Sequence, residues 1–112
     1  MDIKVFNDAS KAISNYAACL GPTGDKMARL AKVCDDHEKI ARAYSKLLSE
    51  MEKDITKSGG ELTKDQLKQL EKAHKEFRDT DIYVQLKLMA GYCETQMDYW
   101  DKAYKADDRL PS

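Results

Sequence analysis

A chain of 112 residues is long enough for one hydrophobic core and too short for two, so a single architecture must account for all of it. Lys and Arg number 19 against 20 Asp and Glu, and a formal net charge of −1 gives no overall field to draw in nucleic acid or an anionic membrane. With 42% apolar and 35% charged residues but only five Gly and two Pro, the composition favours long solvated helices over sheets.

Two Gly-bearing breaks, Gly21-Pro22-Thr23-Gly24 and Ser58-Gly59-Gly60, divide the chain into three predicted helices, over about 2–20, 25–57 and 64–108. In the first, Phe6, Ala9, Ile13, Tyr16, Ala17 and Leu20 recur at helical spacing on one face, and Gly21-Pro22 reads as its stop. The second is expected to open at Asp25 as N-cap. Its seam of Met27, Leu30, Cys34, His37, Ala41, Tyr44, Leu48, Met51 and Ile55 alternates steps of three and four, the period of helices packed lengthwise. Val33, Ile40 and Leu47 widen that seam.

The third helix has the clearest start. Thr63 and Gln66 form a T-x-x-Q capping box, with Leu62 and Leu67 placed as its hydrophobic staple. No breaker stronger than Gly91 follows until Pro111, so the helix is expected to run unbroken for ~65 Å at 1.5 Å per residue. Leu67, Leu70, Ala73, His74 and Phe77 make one stripe. The polar run Arg78-Asp79-Thr80-Asp81 interrupts it, and residues 82–93 are then apolar on nearly every side, which predicts burial all round and makes Leu88, like Leu48, a core position. Arg109-Leu110-Pro111-Ser112 reads as a frayed end.

The expected architecture is therefore all-α: one domain, 1–112, with a short N-terminal helix in front of a long antiparallel helical hairpin, three-helix and coiled-coil-like. Such a third helix is too long for the first to cover, and exposed apolar stripes are costly, so a dimer is expected. A bend at 78–81 that closes a compact bundle is the alternative.

Motifs for chemistry are sparse. Cys34 and His37 stand at i and i+3, and His74 with Cys93 could complete a zinc set, but antiparallel pairing separates the two histidines by ~15 Å along the axis, so all four are assigned to packing and no metal is expected. Consecutive Asp35-Asp36-His37-Glu38 point about 100° apart and cannot converge. There is no H-E-x-x-H, no phosphate loop followed by Lys-Ser or Lys-Thr, and no Ser or Cys nucleophile with a placed base. No catalytic residue and no cofactor are expected. An odd count of three cysteines, each in a helical stretch, suits a reducing compartment. The polar start Met1-Asp2-Ile3-Lys4 is no signal peptide and no apolar run approaches the ~20 residues of a membrane span, so a cytoplasmic protein, at most peripheral to a membrane, is expected.

Two surfaces attract attention. Lys64, Lys68, Lys72 and Lys75 form a ridge beside the Gly59-Gly60 turn, joined by Lys46, Lys53 and Lys57 from the other arm; this is either a contact for phosphates or a solvated face balanced by neighbouring Glu and Asp in i,i+4 pairs. With no aromatic interleaved, it does not suit nucleic acid. Tyr92, Met97, Tyr99, Trp100 and Tyr104 are the densest aromatic and Met cluster, suited either to packing under the first helix or to a partner or dimer surface.

The Gly-bearing turn followed by Glu61-Leu62-Thr63-Lys64-Asp65-Gln66-Leu67, and the segment Glu94-Thr95-Gln96-Met97-Asp98-Tyr99, resemble the last third of an endophilin-like BAR domain over 57–110. That resemblance implies dimers of long three-helix protomers that bind curved membranes through basic tips. The leading expectation is a non-catalytic helical scaffold or adaptor that binds proteins, itself included. The alternatives are a BAR-like membrane-surface module using the Lys tip and a small assembly or secretion chaperone that holds a partner helix.

Overall fold

The structure, a computed structural model, describes residues 2–26, 28–88 and 94–111. Met27, Tyr92 and Cys93 of the sequence reading lie outside these, as do the other residues of 89–93. The described residues form α1 (Lys4–Lys26), a 3₁₀ turn (Ala28–Leu30), α2 (Ala31–Ser58), α3 (Lys64–Asp79), α4 (Tyr83–Leu88) and α5 (Glu94–Asp108), with no strand among them.

The three-and-four spacing of α1 and α2 translates directly into burial. Phe6, Ala9, Ile13, Tyr16, Ala17 and Leu20 are buried on α1, and Cys34, His37, Ala41, Tyr44, Leu48, Met51 and Ile55 on α2, with Ile40 and Leu47 packed at the margin. Leu30 and Val33 depart from the expected seam and are exposed. The Ser10 hydroxyl donates to the Ser45 carbonyl at 2.9 Å and the Ser45 hydroxyl to the Ser10 carbonyl at 2.8 Å, tying α1 to α2 midway.

Gly21-Pro22 does not stop α1, and Asp25 lies inside that helix instead of capping α2, which begins at Ala31. Proline removes one backbone donor, but tertiary contacts hold the last turn together. The Thr23 hydroxyl donates to the Cys19 carbonyl at 2.8 Å and accepts from Gln96 Nε2 of α5, and the Cys34 thiol donates to the Leu20 carbonyl at 3.2 Å.

Past Ser58 the chain turns on Gly59, whose left-handed φ of 87° suits glycine, and the Gly59 and Gly60 N–H groups close onto the end of α2. The capping box then starts α3: Gln66 N–H donates to Thr63 Oγ1 at 3.1 Å and Thr63 N–H to Gln66 Oε1 at 2.9 Å. Leu62 packs against the core, whereas Leu67 is exposed. Asp54 meets Gln66, Tyr44 meets Phe77 and His37 meets Thr80, so α2 and α3 run antiparallel.

Among the described residues the predicted unbroken third helix is divided into α3, α4 and α5. Thr80 ends α3 by turning its hydroxyl (2.7 Å) and its N–H (3.1 Å) back on the Glu76 carbonyl. Asp81 then opens α4 by accepting the Tyr83 N–H at 3.0 Å, so the polar run is a stop followed by a start. The chain folds back, and α5 lies antiparallel along α1, with Gln96 at Thr23 and Tyr104 at Tyr16. His74 meets Asp107, Arg78 meets Tyr104, and Asp81 and Tyr83 meet Trp100, so the chain reverses between Tyr83 and Trp100, later than the expected alternative at 78–81, and this removes the premise that the third helix outruns its cover. Two further expectations change with it. Residues 82–88 are not buried all round: Ile82 and Leu86 face inward, but Val84 and Leu88 are 63% and 81% exposed, so Leu88 is no core position. Leu110 is buried in the core instead of fraying.

Candidate functional site

Buried Ser45 and Thr23 serve the helix contacts described above, and the two remaining buried polar side chains of the described residues, His37 and Asp107, lie where α1, α2, α5 and the end of α3 meet. At the centre of this junction is His37, fully buried, stacked on Phe77 with ring centroids 5.4 Å apart. Its Nδ1 lies 3.0 Å from the Thr80 hydroxyl and its Nε2 2.9 Å from the Tyr16 hydroxyl. The Thr80 proton is committed to the Glu76 carbonyl, so Thr80 can only accept from the ring. That assigns the proton to Nδ1 and makes Nε2 the acceptor of Tyr16 O–H. Burial disfavours the imidazolium and, against the pull of Asp81, lowers the His37 pKa from 6.5 to about 4. A neutral ring with both nitrogens engaged is a core component.

Two turns further along α2, at Tyr44, the hub is Asp107, a fully buried carboxylate near the end of α5. Its Oδ1 accepts the Tyr44 hydroxyl at 2.5 Å. Its Oδ2 takes Arg78 Nε at 2.8 Å and lies 2.8 Å from His74 Nδ1. Arg78 also donates to the Tyr104 carbonyl at 3.1 Å and to Asp108 at 2.7 Å, and stacks over the Tyr104 ring. Burial, reinforced by Asp107, raises the Tyr44 hydroxyl well above its ordinary range, so it remains a donor. A carboxylate buried this deeply is tolerable because both of its oxygens have partners, one of them the Arg78 guanidinium. Among the described residues no buried side-chain polar atom lacks one.

Beside Asp107 a cleft of about 150 Å³ opens between α2, α3 and the C-terminal turn, lined by Leu70, Glu71, His74, Asp108, Leu110 and Pro111 among others. An Asp–His pair at the wall of a cleft has the outline of a general base. The lining, however, has no serine, threonine or cysteine to activate, and Arg78 already neutralises Asp107.

The residues singled out in sequence fall in three places. Cys34 is a buried thiol, its pKa raised to about 11 by burial and by Glu38 and Asp35, and it serves the α1–α2 contact. His37 and His74 belong to the two networks above, and among the described residues no three His, Cys, Asp or Glu side chains are grouped to hold a metal. Trp100 and Tyr104 face inward: the indole N–H donates to Asp81 at 3.0 Å, and the rings stack 4.4 Å apart. Tyr99 packs at the core margin and Met97 is half-buried. Lys53, Lys57, Lys64, Lys68, Lys72 and Lys75 are all exposed around the Gly59 turn, and only Lys75 makes an ion pair, with Asp79.

Asp107 and Arg78 were invisible as a pair in the sequence. Their joint burial depends on α5 folding back along α3, and the one local signal that the third helix is broken was Asp81, a capping residue type directly before an apolar run. No described helix is long and apolar enough to cross a membrane. In comparisons with known proteins, no family model matches the chain, and no curated protein or solved structure does either.

Proposed function

We propose that the protein is a non-catalytic helical interaction module that binds protein, a second copy of itself included, through the outward side of α4. The observation that carries this reading is the pair Val84 and Leu88. They stand one turn apart on one side of α4 and are 63% and 81% exposed, whereas Ile82 just before the helix and Leu86 on its inward side are buried. A lone exposed leucine is ordinary, but adjacent apolar side chains make a patch that gains roughly 25 cal/mol for each Å² a partner covers. The polar networks support the non-catalytic part of the reading, because their donors and acceptors are spent on each other.

Twofold pairing is the commonest way to cover such a patch. Sedimentation equilibrium at micromolar concentration is expected to give about twice the 12.8 kDa chain mass, and Leu88→Asp to return the mass to that of one chain with unchanged thermal melting. A wild-type monomer whose pull-down partners are unaffected by Val84→Asp and Leu88→Asp would remove α4 as the surface. One observation favours a second reading, a BAR-like contact with anionic membrane: Lys53, Lys57, Lys64, Lys68 and Lys72 project without ion pairs. Liposome co-sedimentation that is strong at low salt and fades at moderate salt would support it.

A further inference from the structure

A concavity of about 550 Å³ lies away from both networks, on the outer side of the α1–α2 pair. That volume is within the roughly 300–1,000 Å³ range of small-ligand sites. It exists because small residues face each other one turn apart on both helices, Ser10 and Ser14 on α1 and Ser45 and Ser49 on α2. The crossed hydroxyl-to-carbonyl bonds of Ser10 and Ser45 form its floor and spend those two protons.

The remaining lining is a set of uncommitted donors. Ser14, Asn15 and Ser49 make no hydrogen bond through their side chains, and Lys11 and Lys46 make no ion pair. Lys32, Lys39, Lys75, Lys102 and Lys105 are each neutralised by an aspartate on the same helix, whereas the lysines nearest the Gly59 turn share the unpaired state of Lys11 and Lys46. Arg42 completes the lining; its Nε is held by Glu38 at 2.7 Å, which leaves its terminal nitrogens available. No carboxylate lines the groove, so Lys11 and Lys46 act together on whatever enters, and Arg42, shared with Glu38, adds donors more than charge.

We propose that this groove binds a small phosphorylated polyol, a sugar bisphosphate or an inositol phosphate. Phosphate oxygens match the cations, which approach from both walls, Lys11 from α1 and Arg42 with Lys46 from α2. The ligand's hydroxyls match Ser14, Ser49 and the Asn15 amide, which both donate and accept. The lining has no aromatic ring on which a nucleobase could stack and no large apolar side chain to receive an acyl tail.

Isothermal titration calorimetry of the intact chain with inositol 1,4,5-trisphosphate and with fructose 1,6-bisphosphate is the test, with glucose as the uncharged control. One-to-one saturable binding of at least one phosphorylated probe is expected, weakening with salt. The double variant Lys11→Gln/Lys46→Gln is expected to weaken it by roughly tenfold or more, since charge-assisted hydrogen bonds are lost at two positions. Both lysines are exposed, so thermal melting of the variant is expected to match wild type. Lys53→Gln/Lys57→Gln, at the Gly59 end, is expected to leave the affinity unchanged. No saturable heat with either phosphorylated probe would overturn the proposal, as would equal weakening by the two double variants. Binding seen only on vesicles containing phosphatidylinositol bisphosphate, and lost equally in both variants, would overturn it in favour of the membrane reading.

Discussion

The two ends of the long α2 helix are built on different principles. Around His37 and Tyr44, α1, α5 and the end of α3 all converge on α2, and the interior holds rings stacked with centroids 4.6 to 5.4 Å apart, a neutral histidine and a buried carboxylate with its partners. Around Gly59, only α2 and α3 make the structure, and local devices organise it: a left-handed glycine, a capping box, and the Asp54–Gln66 contact at 3.2 Å. One end is specified by long-range contacts that must all form together. The other is specified by residues a few positions apart. Substitutions at the first should therefore be costly and cooperative, and those at the second small and additive.

The largest expected effect is Leu48→Asp, which places a charge with no partner at a fully buried position. Loss of the folded state, read as a missing thermal transition by circular dichroism, is expected, and a normal melt would mean that this face of α2 is not in the core. Next is Asp107→Asn, which leaves Arg78 and His74 facing an amide. Urea unfolding is expected to show a loss of about 3 kcal/mol, and a change under about 1 kcal/mol would reduce the hub to a surface ion pair.

The pH dependence of stability sharpens the comparison further. Burial holds the folded-state pKa of His37 near 4, below its ordinary 6.5, so the unfolded chain takes up this proton first as pH falls. The His37 contribution is therefore complete above pH 6.5, declines through the window between 6.5 and 4, and levels off below. About 2 kcal/mol of the wild-type stability is expected to go between pH 7 and 5. The same titration on His37→Gln, which cannot take up the proton, is expected to lack that component, and parallel curves for the two proteins would show that His37 is not held neutral. The smallest effect belongs to the other end: Thr63→Ala removes the cap and should cost about 1 kcal/mol with no change in pH dependence. A loss as large as that of Asp107→Asn would mean that the two ends are not built differently.

The same contrast explains which parts of the fold were legible in the sequence. The seams of α1 and α2 and the Thr63–Gln66 box could be read because their signals recur within one or two turns. Gly21-Pro22 misled because Gln96 and Cys34, distant in sequence, hold the turn that proline weakens. Thr80 and Asp81 misled in the opposite sense. A hydroxyl that closes one helix and a carboxylate that opens the next look in sequence like two polar residues on a solvated face. Reading the third helix as unbroken concealed the Asp107 hub and the exposure of Val84 and Leu88, whereas the packing of Trp100 was one of the two readings its cluster allowed. The groove between α1 and α2 was unreadable for another reason: its serines and lysines belong to two different polar faces, each unremarked until the helices are set side by side.

The fold-back of α5 onto α3 is the claim on which the rest depends, and the native lysines Lys75 and Lys105 can report on it. Both are exposed, and their neighbours Arg78 and Asp108 are joined at 2.7 Å, so a short amine-reactive cross-linker is expected to join Lys75 to Lys105 within one chain. In an unbroken helix the two would stand ~45 Å apart at 1.5 Å per residue, beyond such a reagent. Mass spectrometry of the monomer band is expected to show the Lys75–Lys105 cross-link in high yield. Its absence there, with cross-links confined to lysines one or two turns apart, would contradict the fold-back and restore the single long helix.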